Sequence, residues 1–176
     1  MKVLAKIFSK LLMIAVTSIL WISASYGGKA GEAVPPFSLQ SLDGELVSLE
    51  DYRGEVVMIN FWATYCAPCI EELPSMQALL ESFSDRPFTI LAVNMGEDPK
   101  AISSFMDRIG ADFDFPLLLD PTMEVASDYR VSALPATLLV DTEGKHAFGG
   151  VGARDWNSEE ARNQILPLFP AESGTN

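Results

Sequence analysis

Cys66 and Cys69 are the only cysteines in this chain of 176 residues, and they carry the chemistry that the sequence predicts. They stand as Cys66-Ala-Pro-Cys69 directly after the apolar run at 56–62, so a strand is expected to deliver the pair to the first turn of a helix. Unpaired backbone N–H groups at a helix start carry partial positive charge, which favours a thiolate there. The second cysteine lies about one turn further along, within bonding reach of the first. The spacing therefore predicts a pair that opens and closes as a disulfide.

Two other roles for the cysteine pair are less favoured by the sequence. A structural disulfide stabilises an exported protein chiefly by closing a long loop, and this pair closes almost none. A zinc site takes four ligands, typically Cys and His, and the chain adds only His146, which is remote in sequence. Thiol–disulfide exchange is therefore the leading hypothesis.

The segments around the pair predict strands that alternate with helices. Asp43-Gly44 between two apolar segments indicates a β-hairpin, and apolar residues at three- and four-residue steps after Pro68 predict a long helix that Pro74 should kink. The pattern also predicts strands at 55–61, 88–93, 115–119, 136–140 and 145–148, a glycine-rich turn at 149–152, and helices from 98, at 123–129 and at 158–168. Such an alternation, ending in a hairpin, indicates a three-layer α/β/α sandwich.

The first 25 residues are predicted to be a secretory signal peptide. Lys2, Lys6 and Lys10 form a positive region, residues 11–22 are apolar and uncharged, and Ser23-Ala-Ser25 offers the small residues that a signal peptidase accepts. The apolar run of about a dozen residues is shorter than the roughly 20 that cross a bilayer. An uncleaved membrane anchor is the alternative.

The rest of the chain has the size of one domain and is acidic. We expect a linker at 26–36, a single domain at 37–170 and a loose tail at 171–176. The chain has 12 Lys+Arg against 24 Asp+Glu, and loss of the three signal-peptide lysines leaves 9 against 24, a net charge of −15. This charge argues against nucleic acid and anionic lipid as partners.

The segment Asn60-Phe-Trp-Ala-Thr-Tyr-Cys-Ala-Pro-Cys69 resembles the active-site segment of the thioredoxin superfamily. Within that superfamily it is most similar to the exported TlpA/ResA-like thiol–disulfide oxidoreductases, the branch that includes cytochrome c maturation thioredoxins. The likeness runs over about 34–168 and includes Glu71-Glu-Leu-Pro74, Leu134-Pro-Ala-Thr137 and Gly152-Ala-Arg-Asp-Trp156. It implies a thioredoxin-like three-layer α/β/α sandwich with an N-terminal β-hairpin and a central αβ insertion.

The resemblance implies roles for three residues. Cys66 would be the nucleophile that attacks a partner disulfide, and Cys69 would be the resolving thiol that releases the product. Pro135 matches the family's cis-proline, which packs beside the disulfide and leaves the neighbouring backbone free to pair with an extended substrate. Without the resemblance, Pro135 would be interpreted as the start of a strand.

Two polar positions refine this chemistry. Ordinary thioredoxins carry a buried aspartate at the position of Asn60, and that carboxylate helps to move the proton of the resolving cysteine. Asn60 cannot do so, but Glu72 matches a glutamate that the TlpA/ResA-like branch holds near its active site. Our hypothesis is that Glu72 exchanges a proton with Cys69. The alternative is a solvated helix glutamate like its neighbour Glu71.

The residues next to the cysteines indicate the direction of exchange. Trp62 and Tyr65 are expected to form an apolar platform around the disulfide, with a plain core role as the alternative for Trp62. The dipeptide Ala67-Pro68 lacks the cation found in strongly oxidising relatives, and the glutamates at 71 and 72 disfavour a thiolate. These features predict a reductant, closer to thioredoxin at roughly −270 mV than to a strong oxidase at roughly −120 mV.

Three rival functions share the fold. A peroxiredoxin would need a proline and a threonine where this chain has Ile59 and Ala63. A copper-handling module typically spaces its cysteines by three residues and adds a distant histidine, whereas His146 falls on the predicted hairpin rather than beside Pro135. A redox-inert binding domain would usually lose one cysteine.

The sequence therefore predicts an exported, periplasmic disulfide reductase, either free or anchored by its N-terminal segment. Its targets would be exported proteins with disulfides, with apocytochrome c or a copper-site protein as family-level expectations. Because its disulfide would need continual re-reduction, a membrane thiol electron donor is expected as a partner. We expect a monomer that needs neither a cofactor nor a metal ion.

Overall fold

The computed structural model describes residues 30–170, so the predicted signal peptide and the tail at 171–176 lie outside the described part. Seven strands are present there: β1 (Ser38–Gln40), β2 (Leu46–Ser48), β3 (Val56–Trp62), β4 (Phe88–Met95), β5 (Leu117–Asp120), β6 (Ala136–Val140) and β7 (His146–Val151). The α-helices are α1 (Ala67–Ser82), α2 (Pro99–Ile109), α3 (Glu124–Asp128) and α4 (Glu159–Ile165), and 3₁₀ turns cover Leu49–Tyr52 and Leu166–Leu168. None of the helices at 30–170 is long and apolar enough to cross a membrane.

Strand β3 lies at the centre of a five-stranded sheet with the order β5-β4-β3-β6-β7. It pairs with β4 in parallel and with β6 in antiparallel orientation, and all seven of its residues are buried. A continuous apolar run suits a strand that is covered on both faces. Helix α2 and strand β5, inserted between β4 and β6, add the parallel edge strand, as expected of a central αβ insertion.

Alternate residues of β3 face two separate apolar clusters, which makes the fold three-layered. Val56, Met58 and Trp62 belong to the cluster that includes buried residues of α1, α2 and α4. Val57, Ile59 and Phe61 belong to the cluster on the other face, with the N-terminal hairpin and α3. Asn60 has the same parity as the first set, so its polar side chain points towards α1. The predicted sandwich is confirmed.

The N-terminal segment is attached to this sandwich before the hairpin begins. Ala33 forms an isolated bridge with Lys145, Gly31 N–H donates to the His146 carbonyl over 2.8 Å, and Val34 is buried. The hairpin β1–β2 then turns at Gly44, whose φ of 87° is left-handed and suits the Asp-Gly dipeptide. The described part of the predicted linker, residues 30–36, thus contributes contacts to the domain.

The carboxyl-terminal part differs from the predicted boundaries. The predicted turn at 149–152 is wrong, because Gly149 and Gly150 continue β7 opposite Leu138 and Thr137 of β6. The ladder partners on β6 hold these glycines extended, and the strand ends before Gly152, whose φ is 101°. The last helix is also shorter than expected: α4 ends at Ile165 and is followed by a 3₁₀ turn at Leu166–Leu168. Pro167 has no backbone N–H, so it cannot donate the next hydrogen bond of an α-helix.

Tyr129 joins the N-terminal segment to the sheet, and we expect its hydroxyl to matter for stability. Its buried ring packs against Phe37 and Phe61, and its hydroxyl donates to the Pro35 carbonyl over 2.6 Å. Tyr129→Phe keeps the ring contacts but leaves that carbonyl without its donor. Chemical denaturation should show an unfolding free energy lower by about 1–2 kcal/mol. Tyr65→Phe, on a side chain 74% exposed, is the control, and equal losses in both variants would refute this assignment.

Candidate active site

The two cysteines form a disulfide at the start of α1. Cys66 is the N-cap of the helix, and its sulfur is bonded to that of Cys69 at 2.06 Å. The Cys69 N–H points to Cys66 Sγ over 3.3 Å, so a helix-start donor faces the first sulfur. Cys66 is 9% exposed and is flanked by exposed Ala67 and Pro68, whereas Cys69 is fully buried. An attacking group from outside therefore meets the Cys66 sulfur first.

A carboxylate clamps the loop that leads into Cys66. Glu97, just after β4, accepts hydrogen bonds from the Thr64 N–H at 2.7 Å and from the Thr64 hydroxyl at 2.5 Å. It also accepts one from Asn94 Nδ2 at 2.8 Å. The loop between β3 and α1 is thus tied to the end of the neighbouring strand. Sequence reasoning missed this clamp, because 33 residues separate Thr64 from Glu97.

Pro135 lies at the same end of the sheet as the disulfide. The pairing of β3 with β6 ends at Phe61 opposite Ala136, so the preceding Pro135 is next to the end of β3 from which the chain continues to Cys66. The Leu134–Pro135 peptide bond is cis, as the family resemblance implies. Pro135 is buried, and its carbonyl accepts the Gly152 N–H over 2.9 Å.

Glu72 is a buried carboxylate and not the solvated side chain of the alternative interpretation. It is 2% exposed and follows Cys69 by three residues, so both side chains lie on one face of α1. Asn60 Nδ2 donates to Oε1 over 2.8 Å. The Trp156 indole N–H and the Arg154 backbone N–H donate to Oε2 over 3.1 Å and 3.3 Å. Both oxygens are therefore held by donors from other elements.

Asn60 connects the carboxylate to the sheet. Its Nδ2 donates both to Glu72 and to Thr137 Oγ1, the latter over 2.9 Å from the facing position on β6. Within residues 30–170, Asn60 Oδ1 accepts no hydrogen bond. The asparagine thus orients the carboxylate instead of supplying one, a role that sequence reasoning did not give it.

Burial raises the pKa of Glu72 above its ordinary value of 4.5. The hydrogen bonds from Asn60, Trp156 and Arg154, together with the Arg154 charge, act in the opposite direction but do not outweigh the desolvation. A carboxyl group with a raised pKa next to a buried thiol is a stronger proton acceptor than an ordinary carboxylate. This is the property that the Glu72 hypothesis requires.

The aromatic residues near the disulfide have different surroundings. Trp62 is fully buried in the cluster that contains both cysteines, whereas Tyr65 is 74% exposed beside Cys66. Trp62 is therefore part of the core, and only Tyr65 offers a large apolar surface to a partner. Trp156 and Arg154, which contact Glu72, were noted in the sequence only as part of the family-like segment at 152–156.

Across residues 30–170 no group of three or more His, Cys, Asp or Glu side chains is arranged to hold a metal ion. His146 lies at the start of β7, opposite Val140 and away from the disulfide. His146 is therefore not placed to join Cys66 and Cys69 as a ligand.

Comparison with known proteins places these features in a family. The AhpC/TSA family model matches residues 30–147. The thiol-disulfide oxidoreductase ResA of Bacillus subtilis is 36% identical over 139 residues, which cover 77% of this chain and 76% of that protein. ResA of Halalkalibacterium halodurans is 36% identical over 117 residues, 66% of this chain. The chain spans just under two thirds of that relative, 65% of its length.

A solved structure shares the fold. It comes from Chlorobium tepidum, where the protein is described as a candidate thiol:disulfide interchange protein, DsbE. The match has a TM-score of 0.74 at 29% identity and covers 81% of this chain and 99% of the other. The thioredoxin-like architecture predicted from the sequence is therefore confirmed.

The Glu97 clamp predicts a local effect on the loop that precedes Cys66. Glu97→Ala removes the acceptor of the Thr64 N–H. A hydrogen bond to a charged group stabilises the closed state of an amide and slows its hydrogen exchange on the order of tenfold. Amide hydrogen exchange of Thr64 should accelerate accordingly. Asp98→Ala is the matched control, because it removes a neighbouring carboxylate that accepts from the Lys100 N–H instead. Unchanged exchange at Thr64 in Glu97→Ala would contradict the clamp.

Proposed function

The chain belongs to the AhpC/TSA family, and from that premise we propose that it is a thiol–disulfide oxidoreductase that reduces disulfides of exported proteins. The observation that carries this proposal is the closed Cys66–Cys69 pair at a strand–helix junction, with Cys66 9% exposed and Cys69 fully buried. The ResA relatives, which carry the name thiol-disulfide oxidoreductase, support the same activity.

The proposed reaction starts from the reduced pair. The Cys66 thiolate attacks one sulfur of a partner disulfide, a mixed disulfide forms, and the other partner sulfur leaves as a thiolate. Cys69 then gives its proton to Glu72 and attacks the Cys66 sulfur. This closes the Cys66–Cys69 disulfide and releases the second partner thiolate. The partner gains two electrons, and this chain loses two.

The surroundings of each residue support these roles. The nucleophile is given to Cys66 because it is the sulfur nearer the surface and lies at the N-cap, where helix-start N–H groups stabilise a thiolate. The resolving role is given to Cys69 because it is buried on the same helix face as Glu72. Pro135, at the adjacent sheet end, is proposed to shape the surface on which an extended partner segment lies.

The local charges support the direction of electron flow. A cation beside the first cysteine would stabilise the thiolate and make the pair more oxidising, but the intervening residues are Ala67 and Pro68. Glu71 and Glu72 add negative charge on the following turn, which disfavours a thiolate. Both features stabilise the disulfide relative to the dithiol, as a reductant requires.

The proposal extends to location and partners. The sequence pattern of residues 1–25 supports export, so we propose a periplasmic protein, free or anchored by this segment, with one domain at 37–170. A membrane thiol donor would return the pair to the dithiol after each cycle. Apocytochrome c is the proposed substrate class, and this rests on the family resemblance alone.

The reduction potential of the Cys66–Cys69 pair tests the proposed direction. Equilibration of the domain with dithiothreitol or glutathione buffers should give a value near or below about −230 mV. Pro68→His, which introduces a cation between the cysteines, should raise it. A wild-type value above about −180 mV would indicate an oxidase or isomerase instead. Consumption of hydrogen peroxide faster than disulfide exchange would support the peroxidase alternative.

Glu72→Gln should slow the resolving step, because the amide cannot accept the Cys69 proton. The Gln oxygen can replace Oε2, and a flipped Asn60 can accept from the new amide through Oδ1, so the core retains its shape. Rapid-mixing kinetics with a disulfide substrate at pH 7 should show a decrease on the order of 100-fold. The matched control is Glu71→Gln, which removes the same charge from an exposed position. Equal rates in both variants would refute the role of Glu72.

The stability of the same variant reports whether the carboxyl group titrates as described. A folded-state pKa above the ordinary 4.5 means that folding stabilises the protonated form of Glu72 relative to its ionised form. The stability this contributes is fully present below pH 4.5 and is lost as the pH rises through the folded-state value. The unfolding free energy of Glu72→Gln should therefore rise relative to that of wild type over this window.

A further inference from the structure

Trp156 is a buried side chain that the reaction described above does not use. It lies between β7 and α4, 84 residues from Glu72 in sequence, and is 2% exposed. Its indole N–H is directed at Glu72 Oε2 over 3.1 Å. We propose that Trp156 is a positioning residue, which holds the Glu72 carboxylate in the orientation and ionised form needed to accept the Cys69 proton. This inference rests on the proposed function of Glu72.

The chemistry of the indole suits this role. An indole N–H only donates a hydrogen bond, so it pairs with a carboxylate and cannot serve as an acceptor for a protonated carboxyl group. In a buried site such a donor favours the ionised form of its partner. Because Asn60 holds Oε1 on the other side, the two donors fix the plane of the carboxylate. Only the ionised form of Glu72 can accept the proton of the Cys69 thiol.

Trp156 is itself fixed to the helix that carries Glu72. Its backbone N–H donates to Ser75 Oγ over 3.0 Å, and this hydroxyl donates to the Glu72 carbonyl over 2.7 Å. The Arg154 guanidinium lies 4.8 Å from the centre of the indole ring. These contacts hold the indole against the turn of α1 that carries Glu72 and Ser75.

The other groups facing Glu72 are few and can be separated from the indole. Arg154 contributes its backbone N–H and its charge, Cys69 lies on the same helix face, and the acidic side chains of Glu71 and Asp155 line the cavity that reaches Glu72. From β3 and β6 the nearest polar groups, Asn60 and Thr137, do not titrate. Trp156→Phe removes the indole donor and leaves each of these groups in the sequence.

The test is a carboxyl carbon NMR titration of Glu72 in the oxidised protein. Trp156→Phe removes the donor and keeps an aromatic ring, so the Glu72 midpoint should move to higher pH. The control is Trp62→Phe, because Trp62 is equally buried in the same cluster while its Nε1 has no hydrogen-bond partner within the described residues. An unchanged Glu72 midpoint in Trp156→Phe, or an equal movement in both variants, would overturn the proposal.

A second measurement on the wild-type protein does not depend on the folding of either variant. The indole proton resonance of Trp156 should shift with the same midpoint as Glu72, whereas that of Trp62 should not follow it. A Trp156 resonance that does not move at the Glu72 midpoint would also overturn the proposal.

The kinetic readout separates this inference from the function on which it rests. In Trp156→Phe the acid limb of the pH–rate profile for disulfide exchange should move to higher pH together with the Glu72 midpoint. A moved NMR midpoint with an unmoved rate profile would confirm that Trp156 positions Glu72 and refute Glu72 as the proton acceptor.

Discussion

The structure depends on one constraint: a carboxylate buried in the core needs hydrogen-bond donors for its oxygens. Burying an ionised carboxylate without hydrogen bonds would cost more free energy than the whole net stability of a domain. Glu72, which is 2% exposed, avoids this cost because Asn60 on β3 and two groups after β7, the Trp156 indole and the Arg154 N–H, donate to it. Thr137 on β6 accepts a hydrogen bond from Asn60 and so holds the amide in place. Together these hydrogen bonds tie β3, β6 and the segment after β7 to α1.

The same arrangement brings the reactive groups to one end of the sheet. Strand β3 is buried along its whole length, which makes it a rigid base for the loop that leads to Cys66. Glu97 after β4 ties that loop down, and cis-Pro135 before β6 lies at the adjoining strand end. The position of Cys66, at the end of a short loop, is thus fixed by the strands around it.

Burial divides the site into two parts with different tasks under the proposed function. The Cys66 sulfur would meet the partner, while Cys69 and Glu72 would exchange a proton in the buried part of the site. The low-dielectric surroundings that raise the Glu72 pKa also make each remaining hydrogen bond to it stronger. Under the proposed function, a single donor such as the Trp156 indole would therefore change the proton step without contacting the disulfide.

Local patterns in the chain were sufficient to predict most elements and the reactive pair. The apolar run before Cys66, the period of α1 and the Asp43-Gly44 turn act over one or two turns of chain, so neighbouring residues settle them. Gly149 and Gly150 were misassigned because their conformation depends on ladder partners in β6. The state of Glu72 was open for a similar reason: its spacing from Cys69 fits a solvated or a buried side chain. Burial, and the choice of Asn60 and Trp156 as its partners, follow from packing between segments distant in sequence, which no local pattern encodes.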